Sequence, residues 1–159
     1  MVSLKTTIDT SQSQVSFHIK KLGFLNIKGS IDDFQGNISF NENDIENSNL
    51  NVSISPVTID TGNAKRDEHL KSKDFFNVKE NPKISFQSTK IIKEKEQFLA
   101  IGQLTILTKT NEVSIPFSYE NGLLKGNFSL HRLNFGLGEK FPTIIVGNKV
   151  QININCKIK

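Results

Sequence analysis

With 159 residues the chain has room for one hydrophobic core of ordinary size and not for two, so a single domain over residues 1–159 is expected. Twenty Lys and Arg against 16 Asp and Glu give a formal charge of +4, yet the signs alternate, as in KRDEHLKSKD at 65–74, which describes a solvated surface and argues against a nucleic-acid stripe. One cysteine, Cys156, excludes an intramolecular disulfide and any paired-cysteine metal or redox motif, and no apolar run is long enough to span a bilayer.

The start, MVSLKTTIDTSQSQ, carries no signal-peptide run, so the expectation is a cytoplasmic protein or the mature form of an exported one. Twelve Phe with no Trp and one Tyr make the aromatic content almost wholly apolar, and those rings need a dry interior.

Alternation of apolar and polar residues at period two marks strands with one dry and one wet face. In chain order, Val15, Phe17 and Ile19 alternate with Ser16, His18 and Lys20, and Ile38 and Phe40 keep the same spacing. Leu50, Val52 and Ile54 follow, then Ile84 and Phe86, Leu104 and Ile106, Val113, Ile115 and Phe117, Phe128 and Leu130, and a last run from Val150 to Ile158. Turn signals at 41–49, 94–97, 110–112, 120–122 and 146–149 separate the runs. About eight antiparallel strands result, hence an all-β fold; alternation persists into the terminal strands, which favours a closed barrel, because closure removes exposed edges.

Residues 64–74 break the period. Thr61 or Asn63 can cap a helix there, Asp67 and Lys71 are spaced as a favourable four-residue pair, and Leu70, Phe75 and Phe76 would pin one short helix to the sheet. The stretch IDTGNAKRDEHLKSKDFF at 59–76 is rich in the residue types of acid/base and metal chemistry. As a local site it is poorly spaced, since His69 has neither Asp nor Glu at 65, 66, 72 or 73.

A metal-dependent or hydrolytic enzyme would instead need His18, His69 and His131 to converge, although His18 and His131 sit at polar positions of their strands. Cys156 shares the parity of Ile152, Ile154 and Ile158 and reads as a core residue. FGLG at 135–138 lacks the third glycine of a phosphate loop. Arg132 continues the apolar parity of Phe128 and Leu130, so it either snorkels at a barrel rim or meets the polar head of a ligand.

In a closed barrel Val15, Phe17, Ile19, Ile38, Phe40, Ile84, Phe86, Leu104, Ile106, Ile115, Phe117, Phe128 and Leu130 would line the interior. That lining suits an extended hydrocarbon and not a sugar, nucleotide or peptide. Three classes of function stay open at this point: a lipid-binding module, an enzyme using the histidines, and a structural or interaction barrel with a filled interior.

DFQGNISF at 33–40, VTIDTGNAKRDEHLKSKDFFNVKENPKISFQST at 57–89, GQLTI at 102–106, HRLNFGLG at 131–138 and VGNKVQINI at 146–154 together resemble the YceI-like family, the polyisoprenoid-binding proteins with a lipocalin-like barrel. The resemblance spans nearly the whole chain, in order, and is most specific in the central run. It implies an eight-stranded antiparallel barrel with a small helix and an elongated apolar cavity. It implies also a bound isoprenoid or other long-chain lipid, such as an isoprenoid quinone, polyprenyl phosphate, fatty acid or amide, with no cofactor and no shared catalytic residue. Members are commonly exported and often dimeric, so a homodimer and a transient membrane contact enter as expectations.

Under this resemblance the polar run is structural, with Asp60 and Thr61 shaping the start of the helix and Arg66, Asp67 and His69 tying it down. Arg66 and Arg132 are the expected head-group contacts. The chain departs from the family pattern at Thr7, Thr108 and Leu133.

Overall fold

Period-two alternation dictates a sheet with one dry face, and the computed structural model, which describes residues 7–159, rolls that face inward. The strands are β1 Gln14–Lys21, β2 Leu25–Ile31, β3 Gln35–Ser39, β4 Asn49–Ile54, β5 Ile84–Glu94, β6 Gln97–Ile106, β7 Lys109–Glu120, β8 Leu123–His131 and β9 Val146–Lys157. All neighbours are antiparallel in one curled sheet of order β2-β1-β9-β8-β7-β6-β5-β4-β3.

Nine strands replace the expected eight, and the ladder does not close. The two edge strands, β2 and β3, follow each other in sequence through Asp32–Phe34, with Asp33 in the left-handed region at φ 60°. Both run away from the β1–β2 turn, so they act as one strand broken in the middle, whose first half pairs with β1 and second half with β4.

The open edge of β2 is covered by the start of the polar stretch. Ser30 and Asp60 exchange backbone hydrogen bonds of 3.0 Å each way, the Asp32 N–H donates to Thr58 Oγ1 at 2.7 Å, and the Ser55 N–H donates to the Asp32 carbonyl at 3.1 Å. Gly29 makes this closure sterically feasible: a Cβ there would lie 2.6 Å from Phe17 Cζ and 2.9 Å from Thr61 Cγ2.

Other expectations shift as well. Residues 146–149, expected as a turn, open β9, with Val146 opposite Lys21 and Lys149 opposite His131. The β6–β7 hairpin turns at Leu107 and Thr108, because Ile106 pairs with Lys109, and the expected turn at 110–112 is strand, with Thr110, Asn111 and Glu112 opposite Thr105, Leu104 and Gln103. The helix α1 covers Ala64–Lys71 and stops short of residue 74. Asn63 caps its start, its side chain accepting the Arg66 N–H at 3.0 Å. At the other end the Ser72 hydroxyl donates to the His69 carbonyl at 2.6 Å, and Phe76 and Val78 N–H groups donate to the Leu70 and Lys71 carbonyls, which folds Phe75 and Phe76 beneath the helix.

The Asp67–Lys71 pair does not form. Lys71 reaches Glu68 at 3.3 Å, while Asp67 is buried and accepts from the Thr61 N–H at 3.0 Å and the Thr61 hydroxyl at 2.5 Å.

The interior has two halves. At the end where β3 and β7 finish, Phe40, Phe98, Phe117 and Tyr119 pack ring against ring with centroids 5.0 to 5.5 Å apart, and Ile38 is buried. This end is closed. Helix α1 and the β8–β9 connection sit over the other end.

Candidate functional site: an apolar cavity under the helix

Beneath α1 the inward side chains do not meet, and a cavity of about 440 Å³ remains, within the size range of small-molecule pockets. Val15, Phe17, Ile19, Ile84, Phe86, Leu104, Ile106, Ile115, Phe128 and Leu130 line it, as strand parity anticipates. Ile38, Phe40 and Phe117 do not. They share the parity but lie farther along their strands, within or beside the aromatic plug that forms the cavity floor.

Residues outside the sequence-derived set complete the wall: Ile27 and Ile31 from β2, Phe34, Val52 and Ile54, Ile59, Leu70, Phe75, Phe76, Leu137, Phe141, Ile145, Val146, Val150, Ile152 and Ile154. Their signal was present in part. Leu25, Ile27 and Ile31 alternate with Asn26, Lys28 and Ser30, but Gly29 interrupts the apolar series.

The two arginines have different fates. Arg132 is 1% exposed and opens a 3-10 turn over Arg132–Phe135 directly after β8. Its Nε donates to the Gly147 carbonyl at 2.9 Å, Nη1 to Leu137 and Gly138 at 3.0 and 2.7 Å, and Nη2 to Phe141 and Val146 at 2.7 Å each. A guanidinium has five N–H donors, and backbone carbonyls take all of them. Burial pulls its pKa below the ordinary arginine value.

Neither expected role survives for Arg132: it does not snorkel, and it has no donor left for a head group. It fastens the β8–β9 connection over the cavity. FGLG belongs to that fastening, since Gly138, at φ 67°, offers its carbonyl to Arg132 where a Cβ would collide with Phe75 at 2.6 Å.

Arg66 also lines the cavity, half-buried on α1. It donates from Nε to Thr61 Oγ1 and from Nη2 to the Thr61 carbonyl, each at 2.8 Å, which orients the guanidinium and leaves Nη1 with no protein partner among the described residues. Lys20, Lys21 and His69 line the cavity where it reaches the surface. No Asp or Glu lines it among the described residues.

His69 Nε2 lies 2.8 Å from Asp74 Oδ2, and its ring stands edge-on to Phe75 and Phe141. Hydrogen bonds from His69 and Lys140 hold the Asp74 carboxyl below its ordinary range. Among the described residues no three of His, Cys, Asp and Glu gather in a metal-binding group. His18 and His131 lie opposite Lys28 and Lys149 in the ladders and are not cavity residues, so the structure does not bring the three histidines together. Burial pushes the Cys156 thiol up to about 11, as its place among isoleucines anticipates.

A family model for the YceI-like domain matches residues 7–158. The chain is 36% identical over 109 residues to a UPF0312 protein of Photorhabdus laumondii, covering 69% of this chain and 57% of that protein. It is 38% identical over 109 residues to one of Yersinia enterocolitica, covering 69% and 55%. The chain thus spans about half the length of the curated relatives it matches.

Among solved structures, Burkholderia cenocepacia BcnA superposes with a TM-score of 0.85 at 24% identity over 94% of this chain and 98% of that one. The Campylobacter jejuni YCEI protein gives 0.76 at 25% identity over 88% and 89%. A polyisoprenoid binding domain from Saccharophagus degradans gives 0.74 at 11% identity over 96% and 97%.

Proposed function

This chain belongs to the YceI-like domain family, and from that premise we propose that it binds a long-chain amphiphilic lipid, isoprenoid or acyl, without transforming it. The observation that carries the reading is the pairing of a 440 Å³ apolar cavity with cations and no carboxylates along its lining among the described residues. The description of the Saccharophagus domain as polyisoprenoid binding supports the same class of ligand.

The hydrocarbon lies along Val15, Phe17, Ile19, Ile84, Phe86, Leu104, Ile106, Ile115, Phe128 and Leu130, with its far end on the aromatic floor. Each buried methylene contributes roughly 0.8 kcal/mol, so several isoprene units hold tightly with few polar contacts. Arg66 receives the head through Nη1, held ready by Thr61. That charge favours an acidic head, a polyprenyl phosphate or a fatty acid, over a quinone or an amide.

Solvent extraction of the purified protein followed by mass spectrometry tests the proposal. An isoprenoid or acyl chain is expected, retained less well by Arg66→Met and lost in Leu104→Arg, which places a charge against the apolar wall. Leu104→Arg protein that stays folded and keeps its lipid at full occupancy would put the ligand outside the cavity. Stoichiometric metal with no lipid would move the function to another class.

A further inference from the structure

We propose that the mouth of the cavity docks onto the surface of an anionic lipid bilayer, with the β1–β2 turn and the loop before β9 entering the interface. Six large apolar residues are exposed among the described residues, and five of them cluster here: Leu22, Phe24, Ile144 and Ile145 on the two loops and Leu25 at the first position of β2. Phe24 is 70% exposed and Ile144 78%. Scattered apolar side chains need no explanation, but a cluster of this kind does.

The two loops form one structure. The Leu22 N–H donates to the Ile145 carbonyl at 2.9 Å, and Lys21 pairs with both Leu25 and Val146. Leu22 holds a φ of 55°, a conformation disfavoured for a γ-branched residue, which turns the chain so that Phe24 stands at the hairpin tip. The cluster is also continuous with the cavity, since Lys20, Lys21 and Ile145 line it. A lipid leaving the bilayer between these loops would meet the cavity wall without crossing water.

Charge selects the occupant. Exposed Lys20 and Lys21 flank the apolar tips, and neither forms an ion pair among the described residues. The loops at the closed end instead carry Glu42, Asp44, Glu46, Glu94, Glu96 and Glu120, offset in part by Lys93, Lys95 and Lys157. An anionic surface therefore attracts the mouth more strongly than the floor, turning the barrel to face it. Apolar tips ringed by lysines match the layering of a bilayer interface, with hydrocarbon beneath phosphate.

The purpose of docking rests on the lipid-binding reading, but docking itself is read without reference to what the cavity holds. The probe is flotation with phosphatidylcholine vesicles, with and without phosphatidylglycerol. The protein should float with the phosphatidylglycerol vesicles, release at high salt, and bind neutral vesicles weakly. Phe24→Ser/Ile144→Ser should lower that binding by at least about tenfold, while lipid extracted from the purified variant stays unchanged, because neither residue lines the cavity.

Since the chain has no Trp, Phe24→Trp supplies a single reporter at the tip. Its emission should shift to the blue on phosphatidylglycerol vesicles and not on phosphatidylcholine alone. A folded Phe24→Trp protein whose emission ignores both vesicles overturns the proposal. So does wild-type protein that sediments as a dimer, becomes monomeric in the double variant and floats with neither vesicle, since the patch would then serve a second copy of the chain.

Discussion

Where Phe98 and Phe117 lie opposite each other on β6 and β7, the interior is filled with aromatic rings, whereas a few residues along the same strands Leu104 and Ile115 leave it empty. The parity is identical at both ends, so alternation does not decide between floor and cavity. Side-chain size and the covering elements do. Four aromatic residues meet across the barrel at the floor. At the mouth, α1 and the β8–β9 connection roof the gap, fastened through Thr61 and Arg132 rather than by filling it. The same sheet thus gains stability at one end from packing and at the other from hydrogen bonds to backbone, which leaves space below the roof.

Breaking the roof should have the largest effect. Arg132→Met orphans five backbone carbonyls and is expected to cost about 3 to 5 kcal/mol in chemical denaturation, with Arg132→Lys recovering only part, since an ammonium has three donors. A loss below 1 kcal/mol would show that the connection holds without its guanidinium. At the floor, Phe98→Ala should cost about 3 kcal/mol and deepen the cavity, shifting the extracted lipids toward longer chains. Unchanged chain lengths would mean that the floor does not set the limit.

Cys156 probes the closed half by pH. Its thiol is raised from 9.0 to about 11, so burial favours the protonated form. Its contribution is fully present below pH 9 and is lost as pH rises toward 11, by about 2 kcal/mol. Subtracting the profile of Cys156→Ala should isolate that loss, and a flat difference would place the thiol in water. The smallest contrast lies on α1, where Asp67→Ala should cost about 1 to 2 kcal/mol and Lys71→Ala no more than about 0.5. Equal thermal shifts would remove Asp67 from the roof.

Most strands were legible in the sequence because period two survives wherever one face is buried, and the two departures are local. Gly29 hides β2 because closure demands the absence of a side chain where parity asks for an apolar one. A register slip between Ser88 and Lys90 moves the inward position of β5 from Phe86 to Ile91. The cavity wall followed from parity, but its length did not, since Phe40 and Phe117 differ from the lining residues only in position along the barrel.

Arg132 was legible as an inward charge and not as a fastener. Its partners are carbonyls of Leu137, Gly138, Phe141, Val146 and Gly147, and a carbonyl carries no residue identity. The roles of Arg66 and Asp67 escaped for a related reason. Both converge on Thr61, whose position depends on the bridge between Asp60 and Ser30, residues far apart in the chain.

Ile8 and Ile158 bridge each other beside the end of β9, and the Lys159 N–H donates to the Thr7 carbonyl at 2.8 Å. Because β1 runs from this point to the Leu22 turn, the first and last described residues both lie at the pole opposite the cavity opening. A sensor chip or bead coupled through a linker at Lys159 would therefore hold every molecule in one orientation, opening outward. Immobilised this way, the protein can be offered vesicles and free lipids in turn on one surface, with the tether never competing for the mouth.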